Sequence, residues 1–83
     1  MVRRDGAATR KERIQEIARY VHRLLHKHSE ISLSKTVAKL QYDYGLTKEK
    51  IMEYLHILED LGQFTLYIEG DKIKPTTEAD SDE

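Results

Sequence analysis

Eighty-three residues, 35% of them charged and with a net charge of −1, accommodate one small domain; such a chain buries only ~60–65% of its unfolded surface, which excludes a deep substrate cleft and favours binding at the surface over an enzyme with a small-molecule substrate. The absence of cysteine excludes disulfides, thiolate zinc sites and cysteine nucleophiles. No stretch approaches the ~20 apolar residues of a membrane span, and Met1-Val2-Arg3-Arg4 is not followed by the apolar segment of a signal peptide, so an intracellular, cytoplasmic protein is expected.

The near-neutral total hides a polarity along the chain. Residues 1–28 hold eight Lys/Arg against three acids, a balance of +5, whereas residues 29–83 hold six against twelve, a balance of −6. A basic binding face toward one end and an acidic tail at the other are expected.

Residues 1–9 show no apolar periodicity and read as a flexible basic arm carrying Arg3 and Arg4. From Thr9 or Arg10, residues Ile14, Ile17, Ala18, Val21, Leu24 and Leu25 follow the spacing of one buried helical stripe, which runs to about Lys27 or His28. At 100° per residue, Arg19, Arg23 and Lys27 share the opposite face with Glu16 between them, and Arg13 and Tyr20 flank it. Ile31 is isolated enough for a strand stub, and Ser32 is a suitable N-cap for a second helix with Leu33, Val37, Leu40 and Tyr44 inward. Gly45 suits the left-handed position that ends a helix. Thr47 then caps a third helix with an apolar stripe of Ile51, Tyr54, Leu55, Leu58 and Leu61, closed by Gly62.

After Gly62 the period switches to two, with Phe64, Leu66 and Ile68 on one face and Thr65, Tyr67 and Glu69 on the other. Gly70-Asp71 suits a two-residue hairpin turn. That register sets Glu69 opposite Lys72 as an ion pair, Ile68 opposite Ile73 on the core face, and Tyr67 opposite Lys74. Pro75 ends the strand. Residues 76–83 hold four acids and no large apolar side chain, the composition of a disordered acidic tail. The expected fold is therefore mostly α with a small β-hairpin, in one domain over residues 10–75.

This order of helix, stub, helix, turn, helix and hairpin resembles the winged helix-turn-helix family. The resemblance rests on Ile31-Ser-Leu-Ser-Lys-Thr-Val-Ala-Lys-Leu40, on Gly45-Leu46-Thr47, on Ile51-Met-Glu-Tyr-Leu-His-Ile-Leu-Glu-Asp-Leu-Gly62 and on the hairpin that follows. It implies binding of duplex DNA, with the third helix in the major groove and the hairpin, the wing, on the backbone or minor groove. Together with no asparagine, only three glutamines and abundant Lys, Arg and Glu, a thermophile signature, it suggests an archaeal or viral origin.

The third helix suits that role poorly. Its outward face is Glu49, Met52, Glu53, His56 and Asp60, and Lys48 and Lys50 alone add positive charge there. A helix between phosphates needs basic or neutral surroundings, because phosphate contacts supply most of the affinity. One acid can accept from cytosine N4, but an acidic face also suits plain solvation or docking to a basic protein. The better polyanion surface comprises Arg3, Arg4, Arg10, Lys11, Arg13, Arg19, Arg23 and Lys27, joined by Lys48 and by Tyr67, Lys72 and Lys74 of the hairpin. Arms of this kind enter the minor groove in other DNA-binding domains.

His22 and His26 are four apart on one helix face, a chelating geometry, but no third ligand is fixed and the glutamate of a zincin motif is missing, so no metal or other cofactor is expected. Nucleophile elbows and phosphate-binding glycine loops are absent as well. Two functions of different class follow. One is a non-enzymatic, nucleoid-associated transcription regulator that binds duplex DNA mainly through backbone contacts, as a homodimer if it reads an operator. The other is a small accessory subunit of a larger replication, transcription or membrane-remodelling complex, docking a protein through Glu49, Met52, Glu53, His56, Asp60 and the wing.

Overall fold

The computed structural model describes the backbone of residues 5–76 and the side chains from Arg10 onward. Among these residues the chain forms α1 (Asp5–Lys27), β1 (Ile31–Ser32), α2 (Leu33–Tyr44), α3 (Lys48–Asp60), β2 (Phe64–Tyr67) and β3 (Lys72–Pro75). The three strands make one antiparallel sheet in the order β1-β3-β2. No helix among the described residues is long and apolar enough to cross a membrane.

Each helix boundary has a local cause. Ser32 caps α2 by accepting from the Lys35 amide at 3.2 Å, and Gly45, at φ 68°, ends it with its amide bonded to the Gln41 carbonyl. Thr47 caps α3 through the Lys50 amide at 3.1 Å. At the far end Gly62 adopts φ 82° and donates to the Glu59 carbonyl, while the Gln63 amide donates to that of Leu58. This pair of bonds is a Schellman motif, which reverses the chain into β2. α1 begins at Asp5, four or five residues before the expected start at Thr9 or Arg10, so residues 5–9 of the expected flexible arm are helical. Ala7 and Ala8 extend the helix because alanine has the highest helix propensity, although it contributes little to an apolar period.

The core is one cluster. Ile17 and Val21 come from α1, Leu33, Val37 and Leu40 from α2, Ile51, Tyr54, Leu55 and Leu58 from α3, and Phe64, Leu66 and Ile73 from the sheet. These include most of the inward positions that the periodicity predicts. Leu61 departs from its stripe: it is 66% exposed, because it is the residue at which α3 ends and the chain turns away.

The hairpin register differs from the expected one by two residues. Lys72 lies opposite Tyr67 and Ile73 opposite Leu66, so the loop is Ile68-Glu69-Gly70-Asp71 rather than Gly70-Asp71 alone. A shift of two preserves which face each β3 residue occupies, so Ile73 stays in the core, but Ile68 loses its partner and is 56% exposed. The cause lies in α2. The Asp71 carboxylate accepts from the Ser34 amide at 2.8 Å, from Ser34 Oγ at 2.9 Å and from Ser32 Oγ at 3.0 Å, and its own carbonyl accepts from the Leu33 amide. Asp71 takes the left-handed region (φ 56°) to reach these partners. A carboxylate at the start of a helix satisfies otherwise unbonded amides and the positive end of the dipole, which offsets the backbone strain.

Candidate nucleic-acid interface

The cations divide by what holds them. Burial of Ile17 and Val21 against α3 and the sheet turns the opposite side of α1 to solvent, and Arg19, Arg23 and Lys27 stand there exposed. Successive members are four residues apart, so they rise about 6 Å per step and drift about 40° around the helix. Among the described residues no carboxylate comes within 4 Å of any of the three. Lys11, Lys35 and Lys48 also have no carboxylate within 4 Å among the described residues; Lys11 lies on α1 about two turns before Arg19, whereas Lys35 and Lys48 belong to other helices.

The other predicted cations are engaged inside the molecule. Arg10 reaches across to α3, bonding Glu53 Oε2 at 3.1 Å and lying over the Tyr54 ring. Arg13 stacks on the Tyr44 ring at 4.7 Å and approaches Glu16 at 3.9 Å. Burial, and then the neighbouring Glu16 charge, pushes the Tyr44 phenol up. Lys72 and Lys74 converge on Glu30 at 2.6 and 3.6 Å. The hydrogen bond from Lys72, with the charges of both lysines behind it, holds the Glu30 carboxyl below its ordinary value. Lys74 also covers the Tyr67 ring at 5.1 Å. Arg3 and Arg4 lie outside the described residues.

The acidic face of α3 is less negative than its composition. Glu53 is shared between Lys50 and Arg10, and the Lys50 hydrogen bond is the larger reason its carboxyl sits below the ordinary range. Glu59 turns toward the sheet, where Oε2 accepts from the Leu66 amide at 3.1 Å and Oε1 lies 3.5 Å from His56. Glu49 and Asp60 remain exposed with no cation within 4 Å among the described residues. Met52, expected to face outward, is half-buried against Leu33, Val37 and Ile68 in a cleft of about 320 Å³ that also exposes Lys48.

Two organising residues, Glu30 and Asp71, escape a reading of the sequence, because their partners are far along the chain and no local pattern marks them. His22 is engaged by its neighbours: its Nε2 lies 2.8 Å from Gln63 Oε1 and its ring meets Phe64 edge-on. No group of three or more His, Asp or Glu among the described residues is placed to hold a metal. What the arrangement offers chemically is one row of exposed cations on one helix with no carboxylate within 4 Å among the described residues, suited to a polyanion. Comparison with protein-family models, with curated proteins and with solved structures returned no match.

Proposed function

We propose that this chain is a non-enzymatic DNA-binding protein of transcription-regulator type, with a winged-helix arrangement, that holds duplex DNA through phosphate contacts from the outer face of α1. One observation carries the reading: among the described residues Arg19, Arg23 and Lys27 form a row with no carboxylate within 4 Å, while Arg10, Arg13, Lys72 and Lys74 are each taken up by an acid or an aromatic ring. A cation already paired must give up its partner to reach a phosphate, so the unpaired row gains the most from counterion release. Along the axis of α1 the row extends about 12 Å, which lets three side chains meet separate phosphates of the backbone. Partial neutralisation of α3 by Arg10 and Lys50 lowers the repulsion that its glutamates impose on the approach of a duplex.

Fluorescence anisotropy on a generic duplex across a salt series tests this. The triple variant Arg19→Glu, Arg23→Glu, Lys27→Glu is expected to lose binding. In milder neutral variants of the same three positions the slope of log affinity against log salt is expected to fall by about 2.7, three contacts at roughly 0.9 each. Glu49→Ala with Glu53→Ala should leave affinity equal or higher. Loss of sequence-specific binding in that second variant would return the reading role to α3, and no binding by the parent at low salt would remove the DNA assignment.

A further inference from the structure

A second surface lies between α1 and the end of α3. A groove of about 780 Å³ runs along α1 from Arg10 to His22, a length of about 18 Å or roughly three helical turns. Its ends are closed by cross-contacts, the Arg10–Glu53 ion pair at one and the His22–Gln63 hydrogen bond at the other. The floor is apolar, formed by Ile14, Ala18, Ile57 and Leu61, and Leu61 is 66% exposed although it is a leucine beside the core. The rim carries Lys11 and Arg19, neither with a carboxylate within 4 Å among the described residues. Among the described residues no carboxylate lines the groove between its ends, and the one that closes an end, Glu53, is held by Arg10.

We infer that the groove docks an acidic amphipathic helix of a partner protein, with its apolar stripe on Ile14, Ala18, Ile57 and Leu61 and its Asp or Glu side chains on Lys11 and Arg19. A linear apolar channel between two helices is the shape a third helix fills, with anchors at i, i+3, i+4 and i+7. The cationic rim of Lys11 and Arg19 selects a negatively charged flank, and charge complementarity of this kind sets partner choice and association rate. Nucleic acid is a poor occupant, because phosphates gain nothing from an apolar floor that they would leave wet or desolvate. A second copy of this chain fits no better: its other exposed large apolar side chains, Tyr42, Tyr67 and Ile68, belong to no helical apolar stripe. The partner surface thus moves from the outer face of α3 to the side where α3 meets α1. The groove shares Arg19 with the proposed DNA row but needs neither Arg23 nor Lys27, and Leu61 belongs to the groove alone.

The probe is a labelled synthetic peptide about three to four helical turns long, with leucines at helical spacing and glutamates elsewhere. A scrambled peptide of the same composition and a version with lysine for glutamate serve as controls. Amide chemical shifts of the parent protein are expected to move at Ile14, Ala18, Ile57, Leu61 and Gln63 with the first peptide and not with the controls. Leu61→Ser should weaken binding about tenfold or more, the loss expected for one buried leucine, while leaving DNA affinity unchanged. Because Leu61 is exposed, the variant keeps its fold. Lys11→Glu should weaken the complex and reduce its salt dependence. Equal binding of the scrambled peptide, shifts confined to the Arg23–Lys27 face, or no shifts at all would overturn the inference. So would a concentration-dependent dimer of the parent that Leu61→Ser dissolves, which would make a second copy the occupant.

Discussion

Two basic surfaces of this molecule have similar composition and opposite states. The outer face of α1 presents Arg19, Arg23 and Lys27 with no acid among the described residues inside 4 Å, whereas the β3 surface presents Lys72 and Lys74 clasped by the single carboxylate of Glu30. Counting cations separates them only as three against two. The difference teaches that a basic residue counts toward a polyanion site only when the fold has not already provided its counterion. On α1 the acids Glu12 and Glu16 precede Arg19 by seven and three residues, and Glu16 is drawn to Arg13 on its other side. At the sheet, β1 pairs directly with β3, which delivers Glu30 beside both lysines.

The largest test of that contrast sets charge reversal on one surface against the other. Arg19→Glu, Arg23→Glu, Lys27→Glu should abolish duplex binding, while Lys72→Ala with Lys74→Ala should change affinity only a few-fold, since those lysines exchange one partner for another. Similar losses from both variants in an anisotropy titration would break the comparison. Leu55 underlies both surfaces, being fully buried where α3 meets the core. Leu55→Ala should cost about 2–5 kcal/mol in a denaturant titration, as for other buried leucines cut to alanine. Below half a kilocalorie, the packing of α3 would be wrong.

Smaller effects sharpen the contrast. Glu30→Gln frees Lys72 and Lys74, so DNA affinity should rise by a factor of a few and the salt slope should steepen. An unchanged slope would mean that the β3 surface faces away from the duplex. The Asp71 clamp on α2 predicts an acid-side effect. Hydrogen bonds from the Ser34 hydroxyl, its amide and the Ser32 hydroxyl hold the Asp71 carboxyl below its ordinary 3.8. A carboxyl depressed in the folded state stabilises it above the ordinary value and loses that contribution as pH falls through the folded one. Asp71→Asn should therefore be less stable than the parent near neutral pH, and the difference should shrink as pH drops below about 4. A difference that persists undiminished in acid would assign the clamp to shape rather than charge.

Much of the fold was legible in the sequence because its signals are local. Ser32 and Thr47 cap helices through amides three residues on, Gly45 and Gly62 end them by taking positive φ, and the switch from a period of 3.6 to 2 marks the hairpin. Each depends on neighbours within one helical turn or on which side of one element is apolar. Ile31 as a strand stub was legible for the same reason, as an isolated apolar residue before a cap. Of the candidate site, the row of Arg19, Arg23 and Lys27 follows from the helix period alone.

Tertiary structure decided what long-range pairing controls. Only the approach of the hairpin to α2 brings Asp71 to Ser34, 37 residues earlier, and that contact lengthened the loop, moved the register by two and exposed Ile68. Packing of α1 on α3 tied Arg10 to Glu53, 43 residues away, removing one cation from the binding set and one acid from the face of α3. The same packing left Leu61 at the lip of a groove, although the periodicity assigned it to the core. Counterions, registers and grooves are properties of pairs of elements, and a side chain's own neighbours in sequence carry no information about which element will be set against it.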